Sequence, residues 1–131
     1  MSVEIRGEAA ILAELERRFG QARIQRVSDE ALREGAKVFV KELKSQLLPA
    51  KKKGDTIKEI TVSEPFTIAG MRMIRVYWKG PRNRYRIIHL NEYGTVKNPN
   101  PKAKGAIARA VRNSERAYRN VIEETLRRGF R

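Results

Sequence analysis

Four arginines, Arg109, Arg112, Arg116 and Arg119, follow one another at spacings of three, four and three residues near the C-terminus. On a helix such spacings share one side, because residues three and four apart are neighbours on its surface. A row of planar guanidinium groups suits phosphates or carboxylates. A second basic group, Arg75, Arg82, Arg84 and Arg86, is interleaved with Tyr77, Trp78 and Tyr85, a mixture that could stack on bases while it contacts phosphate. A third is Lys51-Lys52-Lys53, within a basic loop over residues 50–55 that could reach phosphate or a neighbouring subunit. Each group also has a plain structural explanation. An amphipathic helix needs a polar outer face, arginine is a good helix former, and aromatic residues of strands often belong to cores or interfaces.

Residues able to carry out bond-making chemistry are scarce. There is no cysteine, which rules out disulfides, thiolate metal sites and cysteine nucleophiles and fits a reducing compartment. The one histidine, His89, has no acidic cluster around it in sequence that would complete a zinc site. No phosphate-cradling glycine loop, dinucleotide fingerprint or metal-binding helix motif is present. Ser28, Ser45, Ser63 and Ser114 lack the sequence context of an activated nucleophile. The expectation is a protein that is not an enzyme and has no cofactor and no metal.

Charge directs attention to partners. The chain of 131 residues carries a formal +14, and the charge is uneven. Residues 1–50 hold nine Lys/Arg and eight Asp/Glu, whereas residues 51–131 hold twenty and seven. A surplus of that size suits nucleic acid, an acidic protein surface or an anionic membrane, and it opposes self-association until other contacts offset it. No run approaches the roughly 20 apolar residues that span a bilayer. Residues 1–8 lack an apolar signal core behind a basic start. The expectation is a soluble protein made in the cytoplasm.

The elements that must position these groups read as one α+β domain: two N-terminal helices, a small, mainly antiparallel sheet of about three strands, and a long C-terminal helix. Ile11, Leu15 and Phe19 recur every four residues and predict a helix over 8–19, stopped by Gly20. Leu32, Ala36, Phe39, Leu43 and Leu47 form the apolar stripe of a helix over 29–48, with Ser28 as N-cap and Asp29 and Glu30 in its first turn. Strands are expected over 57–63, 71–79 and 84–90, the last two forming a hairpin about a turn at 79–83. Residues 64–70 read as a turn or an extension of the first strand, and residues 91–101 as an irregular linker. A final helix over about 102–127 carries Ile107, Val111, Tyr118, Ile122 and Leu126 on its apolar side.

One compact motif remains, Glu92-Tyr93-Gly94-Thr95. A strand entering these four residues, a proline-containing loop and a C-terminal amphipathic helix resemble the neck or tail-component family of long-tailed bacteriophages. Val3-Glu4-Ile5-Arg6-Gly7 before the first helix and Ala31-Leu32-Arg33-Glu34-Gly35-Ala36 in the second are similar too. The sequence departs from the family where Pro49 is separated from Gly54-Asp55-Thr56 by the lysines, and where Pro101-Lys102-Ala103 lacks the usual aromatic.

The resemblance implies a virion structural protein, a hexameric ring at the head–tail interface through which double-stranded DNA passes. It would serve as a neck, tail-completion or tail-terminator component. Its partners would be the head connector or stopper and the tail terminator or tail-tube proteins, with no membrane. Glu92, Tyr93, Gly94, Thr95, Lys51, Lys52 and Lys53 would then be candidates for subunit contacts. Arg109, Arg112, Arg116, Arg119, Arg82, Arg84 and Arg86 would face DNA or an acidic partner. Two other classes stay open: a sequence-nonspecific nucleic-acid-binding module, and a small basic ribonuclease toxin built around His89.

Overall fold

The computed structural model describes residues 2–6, 17, 19–48, 54–86, 88–97, 99–101 and 104–130; the side chains of Ile5, Arg6, Arg86, His89, Leu90 and Asn91 lie outside that description. The helix expected over 8–19 lies outside the described residues apart from Arg17 and Phe19.

Strand β1 spans Val3–Arg6 and helix α1 spans Gln21–Leu47. Helix α1 starts eight residues before the expected start at Asp29, because Gly20, at φ 85°, turns the chain and its carbonyl accepts the Ile24 N–H. Ile24, Val27 and Ala31 extend the apolar stripe backwards by two turns, and all three are buried. Ser28 is therefore not a cap. It is a buried interior residue whose hydroxyl has no hydrogen-bond partner among the described residues. Asp29 serves the tertiary structure instead, accepting from Arg72 Nε at 2.7 Å and Arg72 Nη2 at 2.8 Å. That pairing raises the Arg72 pKa above its ordinary value.

The short helix α2, Asp55–Lys58, leads into three strands, β2 (Ile60–Val62), β3 (Phe66–Ile68) and β4 (Met71–Trp78). All pairings are antiparallel and all involve β4. β1 runs along one edge of β4, with Val3 opposite Val76. β2 and β3 share the other, with Ile60 opposite Trp78 and Phe66 opposite Met73. The hairpin is thus β3–β4, turning at Ala69 and Gly70, and residues 64–70 contain a strand.

The strand expected over 84–90 is instead a 3-10 turn at Arg84–Arg86 followed by helix α3, Ile88–Tyr93. Two causes are visible. Both edges of β4 are already paired. Asn83 also adopts φ 53° while the Arg84 N–H donates to the Glu59 carboxylate, which leads the chain away from the sheet.

Helix α4, Ala106–Gly129, runs antiparallel to α1, Gly35 lying beside Ile122 and Gly129 beside Val27. Gly35 matters for packing: a Cβ there would meet Ile122 Cδ1 at 2.8 Å. The core lies between α1 and the inner face of β4, as the stripe predicts. Leu32, Ala36, Phe39, Leu43 and Leu47 pack with Ile74, Val76 and Trp78, joined by Ile88 and by Ala106, Ile107 and Ala110 of α4. Burying such side chains is the main favourable term in folding, about 1.5–3 kcal/mol for each large one.

The candidate assembly loop and basic face

Helix α4 opens with free backbone N–H groups, and its N-cap residue, Gly105, has no side chain to satisfy them. Glu92 supplies the missing acceptor. Its carboxylate accepts the Ile107 N–H at 2.8 Å and the Ala108 N–H at 3.2 Å, and its backbone carbonyl accepts the Gly105 N–H at 2.8 Å. A negative group at this position also complements the positive end of the helix dipole. Glu92 is 5 % exposed. Its partners are backbone amides, and it sits in a helix, not at the end of a strand.

The consequence is a loop tied down at both ends. Gly94 adopts φ 81° and reverses the chain directly after α3, a conformation open to glycine at little steric cost. Thr95 is half-buried, whereas Tyr93 is 67 % exposed and Val96 is fully exposed. Of the four motif residues, one anchors the loop inward and its neighbour projects outward.

The arginine row divides into different roles. Arg109 is drawn into the seam between the helices: its Nε donates to Gln46 Oε1 at 2.9 Å and its Nη1 to the Lys104 carbonyl. Gln46 donates onward to Glu42 at 2.9 Å, and Asn113 donates to the same carboxylate oxygen at 3.2 Å. These two donors, Gln46 foremost, hold the Glu42 pKa below the ordinary carboxylate range. Arg119 pairs with Glu115 at 3.0 Å, one turn earlier on α4. Arg112 and Arg116 are exposed and have no acidic partner among the described residues.

The second basic group faces two ways. Arg84 is half-buried, its Nε donating to Thr56 Oγ1 at 2.7 Å. Arg82 is exposed, 3.9 Å from Asp55. Trp78 is a core residue whose indole N–H donates to the Thr56 carbonyl at 3.0 Å, so it offers no stacking platform. Arg75 lies over the Phe66 ring at 5.1 Å and pairs with Glu4 at 2.9 Å. Lys51, Lys52 and Lys53 and the side chains of Arg86 and His89 fall outside the described residues.

Among the described residues no group of three or more His, Cys, Asp or Glu is placed to hold a metal, and no helix is long and apolar enough to cross a membrane. No family model, curated protein or solved structure matches the chain.

Proposed function

We propose that the chain is a virion structural subunit of the head–tail junction of a long-tailed bacteriophage, assembled as a hexameric ring through which double-stranded DNA passes. The observation that carries this reading is the Glu92-anchored loop. Exposed Tyr93 and Val96 are displayed on a segment whose ends are joined through Glu92, its carboxylate accepting the Ile107 N–H and its backbone carbonyl the Gly105 N–H. Exposed tyrosine is well suited to interfaces, where it is among the residues that contribute most to binding. In a cyclic ring each loop would meet the next subunit head-to-tail, and the contacts close when the rotation between copies is right.

The net +14 supports the same reading from the electrostatic side. Subunits that repel in isolation are brought together on a complementary surface, and a positive ring lowers the cost of passing a polyanion. Arg112 and Arg116 are the members of the arginine row available for that role, with Arg82 on the turn after β4. In this account no bond is made or broken; packing and charge perform the work. The test is location. Gold-labelled antibody against the chain should mark the collar between head and tail of purified particles, and label confined to free protein would contradict the proposal.

Arg112 and Arg116, exposed and without an acidic partner among the described residues, also favour a second reading, a sequence-nonspecific DNA-binding module. That reading requires the isolated chain to bind duplex DNA at micromolar or tighter affinity, with binding that falls steeply as salt rises. The ring reading requires only weak contact by a single subunit.

A further inference from the structure

The last turns of α1 and helix α2 border a groove of about 380 Å³. Its floor is apolar, formed by Leu48, which is 55 % exposed, and half-buried Ile57. Its rim is basic, formed by the exposed Lys41, Lys44 and Lys58, and among the described residues no carboxylate lines it. Elsewhere on the described surface, cations close to carboxylates have paired: Arg33 with Glu64, Lys37 with Glu34, Arg127 with Glu123. Lys41, Lys44 and Lys58 have no acidic partner among the described residues. Lys44 has a local reason to be there, since a cation in the last turn of α1 complements the negative end of the helix dipole. Lys58 holds the same position in the last turn of α2, whereas Lys41 lies outside the last turn of α1.

We propose that this groove docks an acidic segment of a different protein, seating one bulky apolar side chain on Leu48 and Ile57 and its carboxylates among Lys41, Lys44 and Lys58. The charge decides the class of occupant. The three lysines have no acidic partner of their own among the described residues, so an occupant that brings carboxylates complements the rim. The floor decides against nucleic acid. A phosphate backbone would engage the ammonium groups but leave Leu48 and Ile57 uncovered, whereas an apolar anchor ringed by carboxylates uses both. The size suits a few side chains, at the low end of the range for ligand pockets. The inference is read from the groove alone and stands apart from the ring proposal.

The experiment uses the full chain and fluorescein-labelled peptides read by anisotropy. One peptide is glutamate-rich with a central leucine, and its control carries glycine at that position. The leucine peptide should bind about tenfold more tightly, the factor corresponding to roughly 1.4 kcal/mol of buried side chain. Leu48→Ser should abolish that preference and leave weak binding of both peptides. Lys41→Glu with Lys44→Glu should weaken both, whereas Lys37→Glu, outside the groove, should leave the leucine preference intact. Thermal melts establish that each variant folds. Equal affinity for the two peptides, or a preference that survives Leu48→Ser, would overturn the proposal. So would displacement of the leucine peptide by duplex DNA at lower concentration than by unlabelled peptide, which would assign the lysines to phosphate.

Discussion

The Ile107 N–H donates to the Glu92 carboxylate across 2.8 Å, joining two residues fifteen positions apart in the chain. This one contact begins α4, closes the intervening loop and turns Tyr93 outward. Glu92→Ala would leave the Ile107 and Ala108 amides without their acceptor. Leaving buried donors unsatisfied costs about 1–3 kcal/mol, so the variant should melt several degrees lower. Glu92→Gln keeps an acceptor oxygen and should fall between the two. A melting temperature unchanged in Glu92→Ala would mean that the cap adds nothing to stability.

Gly35 and Ile122 set how closely α1 and α4 approach. Gly35→Val should destabilise the fold by about 1–3 kcal/mol through overpacking, despite valine's slightly better helix propensity. Shortening the opposing side chain with Ile122→Ala should recover part of that loss, so the two changes should be non-additive in chemical denaturation. Strict additivity would show that the helices do not meet at this pair.

The Glu42 carboxylate should titrate below its ordinary value of 4.5. Its pKa is depressed in the folded chain, so the stabilisation it gives is present above that value and is lost as pH falls through the folded pKa. Gln46→Ala should return the pKa towards normal by more than Asn113→Ala does, because the Gln46 hydrogen bond is the larger cause. An NMR titration of the Glu42 side chain measures both shifts, and a value indifferent to Gln46 would remove this link from the helix seam.

Replacing Lys51, Lys52 and Lys53 together with serine should leave the melting temperature nearly unchanged and reduce the yield of joined heads and tails. Normal joining in that variant would take these three lysines out of the proposed assembly.

The stripe Leu32 to Leu47 was legible because helical periodicity is a local signal, and every member of it is buried. The start of the same helix was not, because Ser28-Asp29-Glu30 imitates a capped first turn while Asp29 pairs with Arg72, forty-three residues away. Residues 84–90 have strand-like composition, yet a strand needs a free edge, and the occupancy of β4 by β1, β2 and β3 is information no local window holds. β1 itself is four residues long and is defined by its pairing with β4. Within the candidate site, the positive φ of Gly94 is one that its residue type readily allows. The partner of Glu92 was not legible, because no fixed spacing links a carboxylate to a helix start fifteen residues on. Lys41 and Lys44 look like an ordinary polar helix face until Leu48 and Ile57 are placed beside them.

The proposed role in joining heads to tails can be tested by deleting the coding sequence of this chain from the phage genome and imaging the resulting lysate. DNA-filled or emptied heads and finished tails should then accumulate separately, with joined particles restored when the chain is supplied in trans. Intact, infectious virions in its absence would contradict it.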